Sequence, residues 1–265
     1  MLTAYRHADG ALARLDPGQD LSGAIWIDLD RPDADETARL AALGVPVPTL
    51  ADMEEIELSA RLYREGDLTF LTAVLPGRSD TDAPLAGPVT FILGPARLVT
   101  VRHHSPRPFQ TYPDRAGRVG VGCADPDRLF LSLVDEIIGR LADLLEGAGK
   151  GLDRIAAQVY REAEATDGPA LHAALQGIGR EAETIGRVRL SLLTLDRALS
   201  FYSLSQSRKG ADSLRGTVKT LLRDLGALEV HADFLSARVS MATEATLGMI
   251  NLQQNQTIKI VSVMA

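Results

Sequence analysis

The sequence predicts an α+β chain, an α/β half followed by long helices, and three observations predict it. All but one of the 13 prolines lie at or before Pro126, the exception being Pro169, so the chain changes character near residue 127. Before that point, short apolar and β-branched runs alternate with turn residues. After it come long stretches of helical character, the last of which carries apolar residues at heptad spacing.

In the first half, Ala24 to Leu29 (AIWIDL), Leu68 to Leu75 (LTFLTAVL), Val89 to Leu93 (VTFIL) and Arg97 to Arg102 (RLVTVR) read as strands of one sheet. Trp26 and Phe70 sit in these runs as core. Asp33 to Leu43 and Pro48 to Leu62 read as helices, with Asp33, Asp35 and Glu36 suited to the positive end of the first. In the second half, helices are expected at about Pro126 to Arg161, Pro169 to Gln206 and Ala211 onward, separated by EATDG and SQSRKG and packed as antiparallel neighbours. The domains expected are therefore 1–126, 127–210 and 211–265. In the last helix Leu214, Val218, Leu221, Leu225, Leu228, Ala232, Leu235, Val239 and Ala242 recur at spacings of four and three, a heptad seam. A helix from Ala211 to Ala265 would run on the order of 80 Å, longer than a small globular domain needs.

Composition narrows the function. With 45% hydrophobic and 24% charged residues, the 265-residue chain is of ordinary globular type. A net charge of -7 with scattered basic residues argues against nucleic acid as a partner. A single cysteine, Cys123, allows no internal disulfide and points to a reducing, cytosolic setting. The first residues, MLTAYRHADG, lack the apolar core of a signal peptide, and no stretch reaches the roughly 20 apolar residues that span a bilayer. The chain ends on IKIVSVMA with no cap or polar tail, as though cut. No G-x-S-x-G, H-E-x-x-H, cysteine pair or phosphate-cradling glycine loop occurs, so no enzyme or nucleotide site is expected. His7, His103, His104, His172 and His231 read as surface or packing residues.

Two polar groups stand out. Met249 to Gln256 reads MINLQQNQ, and Asn251, Asn255 and Ser262 fall on one helical face with Ile258. Those amides are either a solvated helix end or, with several copies around an axis, a wet path closing into an apolar constriction at Ile258. The acidic cluster Asp52, Glu54, Glu55 and Glu57 is either a solvated face or part of a cation site.

The segment LRDLGALEVHADFLSARVSMATEATLGMINLQQNQTIKIVSV resembles the stalk helix of the CorA family of magnesium and cobalt transporters as it enters the pore. LGMINLQQNQTIKI carries the resemblance most strongly, and WIDLDRPDADE, MEEIELSAR and TFILGPARLVTVR follow the family in order, so it covers nearly the whole chain. The resemblance implies an N-terminal α/β/α domain with a mixed sheet, then long antiparallel helices ending in an extended stalk. It implies a homopentamer in the inner membrane, with this part on the cytoplasmic side and the first membrane helix only begun. The Gly-Met-Asn ion entrance of the family is absent from this chain. Transport of Mg2+, and of Co2+ or Ni2+, is implied, with Leu247, Asn251, Asn255 and Ile258 lining the pore, Val261 as a further constriction and Glu244 attracting cations. A regulatory Mg2+ between subunits is implied at Glu55 and Asp224, with Asp52 and Glu54 as substitutes for Glu55, which stands where the family more often has Asp. The alternatives are a zinc transporter of the ZntB branch, whose softer ion would favour nitrogen or sulfur ligands, and a soluble coiled-coil scaffold.

Overall fold

A computed structural model describes residues 1–79, 81–165, 168–207 and 214–264. The first half begins with strands β1 (Leu2–Ala8), β2 (Ala11–Arg14) and β3 (Trp26–Asp30), then helices α1 (Ala34–Ala42), α2 (Leu50–Glu54) and α3 (Leu58–Arg61). Strands β4 (Leu62–Glu65), β5 (Leu68–Arg78), β6 (Pro84–Leu93) and β7 (Leu98–Arg102) follow, then the short α4 (Pro108–Thr111). The long helices are α5 (Pro126–Ala165), α6 (Gly168–Ser207) and α7 (Arg215–Met264). The expected start of the last helix at Ala211 lies outside the described residues.

The strands form one mixed sheet in the order β2-β1-β3-β7-β6-β5-β4. β3 and β7 run parallel, with Asp28 opposite Thr100 and Asp30 opposite Arg102, while the other neighbours are antiparallel. Both faces of the sheet are covered, which is why its central strands read as near-continuous apolar runs. On one face Ile27, Leu29, Val99 and Val101 pack with Leu40 of α1 and Met53 of α2. Alternation sends Trp26, Asp28, Thr100 and Arg102 to the other face. There Phe91 meets Phe109 of α4 and Phe130 of α5, and Phe130 meets Tyr202 of α6 at 5.2 Å between ring centres. The Val74 amide of β5 donates to Thr194 Oγ1 of α6 at 3.0 Å. The architecture is α/β/α, as the resemblance implied.

Two local expectations are corrected. Pro48 to Leu62 is not one helix: α2 ends at Glu54, Glu55 turns extended at φ -52° and ψ 137°, and the chain restarts in α3 before entering β4. Negative charge at a helix C-terminus opposes its dipole, and here Glu54, Glu55 and Glu57 crowd that end. Arg61 reaches back to the carbonyls of Glu55 and Glu54, taking over acceptors that the broken helix leaves unpaired. The β1–β2 hairpin was not among the expected strands. Asp9 and Gly10 close it with φ of 50° and 79°, the left-handed pair that a two-residue hairpin turn demands.

The chain divides into two compact units. One is Met1–Arg140 with Leu190–Gly226, and the other is Leu141–Arg189 with Ala227–Ala265. α5 begins where the sequence changes character, and the borders of the units fall further along, inside the long helices. The second unit has its own core of Val159, Leu171, Ala174 and Ile250, with Ile155, Leu175 and Met249 against it. Arg189 pairs with Asp233 at 2.9 Å, and Arg238 pairs with Asp153, both within this unit.

Candidate ion path and metal-responsive carboxylates

The heptad seam decides which way α7 faces. Val218, Leu221, Leu225, Ala232 and Leu235 are buried, and Thr246 and Ile250 continue the inward line. Ile250 belongs to the core of the second unit. At 100° per residue its burial turns the next residue outward. Leu247, Asn251 and Asn255, spaced by four, accordingly stand exposed on one face, and Glu244 is exposed beside them. The side chains of Ile258, Val261 and Ser262 lie outside the described ones. Val230, Phe234, Met241 and Leu252 are also exposed on the same helix.

The carboxylates named from the sequence have different environments. Asp52 Oδ2 accepts from the Thr49 amide at 2.8 Å and the Thr49 hydroxyl at 2.7 Å, closing the N-cap of α2. Those hydrogen bonds hold its carboxyl below the usual carboxylate range. That oxygen is engaged in capping. Glu54, Glu55 and Glu57 are exposed where α2 breaks. Asp224, on α7, is partly exposed and lies 3.6 Å from the guanidinium of its neighbour Arg223.

The structure adds Asp135, which sequence reasoning missed. It sits half-buried on α5, and its pKa is pushed up by burial first, then by the charges of Asp224 and of Glu136. Glu136 already accepts from the Thr111 hydroxyl and from Arg115, both at 2.9 Å. The charge of Asp224 thus disfavours ionisation of Asp135, while Asp224 has the Arg223 guanidinium beside it. Such a pair suits a hydrated divalent cation, since Mg2+ keeps several waters and takes only one or two carboxylates. No three His, Cys, Asp or Glu side chains come together as a metal cage among the described residues. No helix among them is long and apolar enough to cross a membrane.

Comparison with known proteins identifies a family and a fold. The sequence profile of the family described as CorA-like Mg2+ transporter protein matches residues 22–265. The magnesium transport protein CorA of Pasteurella multocida is 30% identical over 268 residues, spanning all of this chain and 83% of that protein. Among solved structures, the complete CorA magnesium transporter of Methanocaldococcus jannaschii superposes with a TM-score of 0.64 at 16% identity, over all of this chain and 80% of the other. The ZntB cytoplasmic domain of Vibrio parahaemolyticus superposes with a TM-score of 0.67 at 10% identity, over 96% and 98% of the two chains. At such identities these structures speak to the fold.

Proposed function

Since the chain belongs to the CorA-like Mg2+ transporter family, we propose that it forms the cytoplasmic, ion-facing part of a pentameric divalent cation channel in the inner membrane. The observation that carries this reading is the outward face of α7. Leu247, Asn251 and Asn255 are exposed on a face beside the buried Ile250, so five copies around an axis would present rings of amide and leucine side chains to a passing ion. Ile258 and Val261 would supply the dry constriction and Glu244 an acidic ring ahead of it. Val230, Phe234 and Met241 on the same helix give copies apolar surface to share. In this reading 1–126 is the head, 127–210 the helical pair and 211–265 the stalk.

Mg2+ is the proposed cargo, with Co2+ and Ni2+ accepted. A regulatory Mg2+ would be held by Asp224 with Asp135 beside it and by Glu55 from the neighbouring copy. Its contribution there is neutralisation of charge. Bare, the carboxylates push copies apart, because like charges facing each other across an interface cost several kcal/mol when unscreened. The net charge of -7 per chain adds to that repulsion.

The test is the mass of the purified chain by light scattering, in millimolar magnesium and then in chelator. The expected result is an assembled mass in magnesium that falls in chelator, and that is lost in the Glu55→Ala, Asp224→Ala double variant. A magnesium-dependent assembly that persists in the double variant would overturn the site, and a monomer throughout would overturn assembly by this part of the chain.

A further inference from the structure

One end of the seven-stranded sheet carries a cleft that takes no part in the proposed transport. Thr69 of β5 pairs with Leu93 of β6, so the β4–β5 turn and the β6–β7 turn lie side by side at that end. The register leaves Gly66 and Asp67 as a two-residue loop between Glu65 and Leu68, with Gly66 at φ 56°. The two turns come close because Gly94 has no side chain: a Cβ there would meet Leu68 Cδ2 at 3.0 Å. A third wall is the C-terminal end of α1, where the amides of Gly44 and Val45 return to the carbonyls of Ala41 and Leu40. These three segments enclose about 430 Å3, a volume typical of small-molecule sites.

The walls are aliphatic and the lining charge is mainly negative. Leu43, Val45 and Leu68 supply apolar surface, and Glu65 and Asp67 stand exposed beside them. Neither carboxylate forms an ion pair or a hydrogen bond among the described residues. The carbonyl end of α1 adds partial negative charge, since a helix dipole is negative there. Arg39, the base in the last turn of α1, is directed to the Gln19 carbonyl at 3.4 Å and does not line the cleft. Arg97 does line it, with its guanidinium already committed: Nη1 donates to the Leu21 carbonyl at 2.8 Å and Nη2 to the Ser22 carbonyl at 3.1 Å. That leaves the aliphatic stem of Arg97 to the wall.

We propose that this cleft binds a linear aliphatic diamine or polyamine, with ammonium groups on Glu65 and Asp67 and methylenes against Leu43, Val45 and Leu68. Carboxylates beside a hydrocarbon wall suit a cation that brings hydrocarbon of its own. A hydrated Mg2+ keeps its waters and gains nothing from that wall, whereas each methylene covered there adds to affinity. All three segments lie in the first compact unit of a single chain. The site is therefore complete without assembly, and it stands or falls apart from the proposed channel.

The experiment titrates the purified chain with putrescine and with spermidine by calorimetry, in a low-salt buffer free of magnesium. The expected result is one saturable site that weakens as sodium chloride is added. Asp67→Asn and Glu65→Gln should each lower affinity roughly three- to fivefold, the scale of one exposed ion pair. Ala96 is an exposed lining residue on the β6–β7 turn. Ala96→Phe should abolish binding by filling the cleft with both carboxylates still in place, and its circular dichroism should match that of the parent chain. Binding that survives Ala96→Phe would reduce the effect to charge attraction at the surface and overturn the cleft. γ-Aminobutyrate bound as tightly as putrescine would put an anion at Arg97 and overturn the dication. Mg2+ that displaces spermidine at equal concentration would overturn the organic cation, and the absence of saturable binding would overturn the proposal outright.

Discussion

Replacing Arg102 by methionine tests the arrangement that ties the carboxyl ends of β3 and β7 together. Arg102 Nη2 reaches Asp28 Oδ2 at 2.9 Å and Nε lies 3.2 Å from the same oxygen. Nη1 reaches Asp30 Oδ2 at 2.9 Å and the His104 carbonyl at 2.8 Å. Both Arg102 and Asp28 side chains are only 8% exposed. Methionine keeps most of the volume and removes every donor. Asp28 is then left buried, with the Thr100 hydroxyl at 2.7 Å as its one remaining side-chain donor. Breaking a buried pair on one side costs about 3–5 kcal/mol, because the surviving charge stays desolvated, and that is a large part of the roughly 5–15 kcal/mol that holds a domain folded. Asp28→Asn made together with Arg102→Met removes the stranded charge and should recover about 2 kcal/mol or more of the loss. The assay is urea unfolding followed by the fluorescence of Trp26, the single tryptophan, whose Nε1 donates to Thr100 Oγ1 at 3.0 Å within the same network. A loss below about 1 kcal/mol in Arg102→Met, or a double variant as unstable as the two single losses added, would refute the reasoning.

Two further outcomes follow from other parts of the chain. His104 is buried, with Nε2 2.9 Å from the Leu75 carbonyl, and burial pushes its pKa below the ordinary histidine value. The unfolded chain therefore takes up the proton first, so stability is full above about pH 6.5 and falls on acidification below it, at up to about 1.4 kcal/mol per pH unit. His103, also lowered by burial, adds to the slope. Urea midpoints between pH 5 and 8 in wild type and His104→Gln check this, and an equal slope in both would sink it. On the proposed ion path, Asn255→Leu should cut magnesium uptake by cells expressing the protein, by roughly tenfold where the amide replaces water around the ion. Unchanged uptake would remove Asn255 from the pore.

The parts of the fold legible in the sequence were those buried on both sides. β3, β5, β6 and β7 announce themselves because neither face may be polar, so their apolar runs have few breaks. β1 and β2 have exposed positions filled by Arg6, His7 and Arg14, and their alanines carry little strand preference. The Asp9-Gly10 turn was the signal available there. β4 was hidden for another reason. MEEIELSARLY has helix-forming composition, and the helix is stopped by charge at its end and by the reach of Arg61, which lies several residues beyond the break.

The shared face of Leu247, Asn251 and Asn255 could be read in advance because it depends on one period along one helix. Leu247, Asn251 and Asn255 keep their spacing whatever surrounds them, and only the choice of outward direction needed the burial of Ile250. The carboxylates differ, since their meaning comes from residues far apart in the chain. Asp135 is an unremarkable acid on an amphipathic helix until the fold brings Asp224 close enough to raise its pKa. A cage complete within one chain would bind its cation whether or not neighbours were present, and could not report on assembly. A pair that still repels gains most from a cation when a further carboxylate arrives with it, so residual repulsion between Asp135 and Asp224 is the property a cation-dependent contact requires. In the proposed reading Glu55, exposed on a link whose backbone is held by Arg61, would be that further group, and a response to magnesium would then depend on both the cation and the neighbour that brings it.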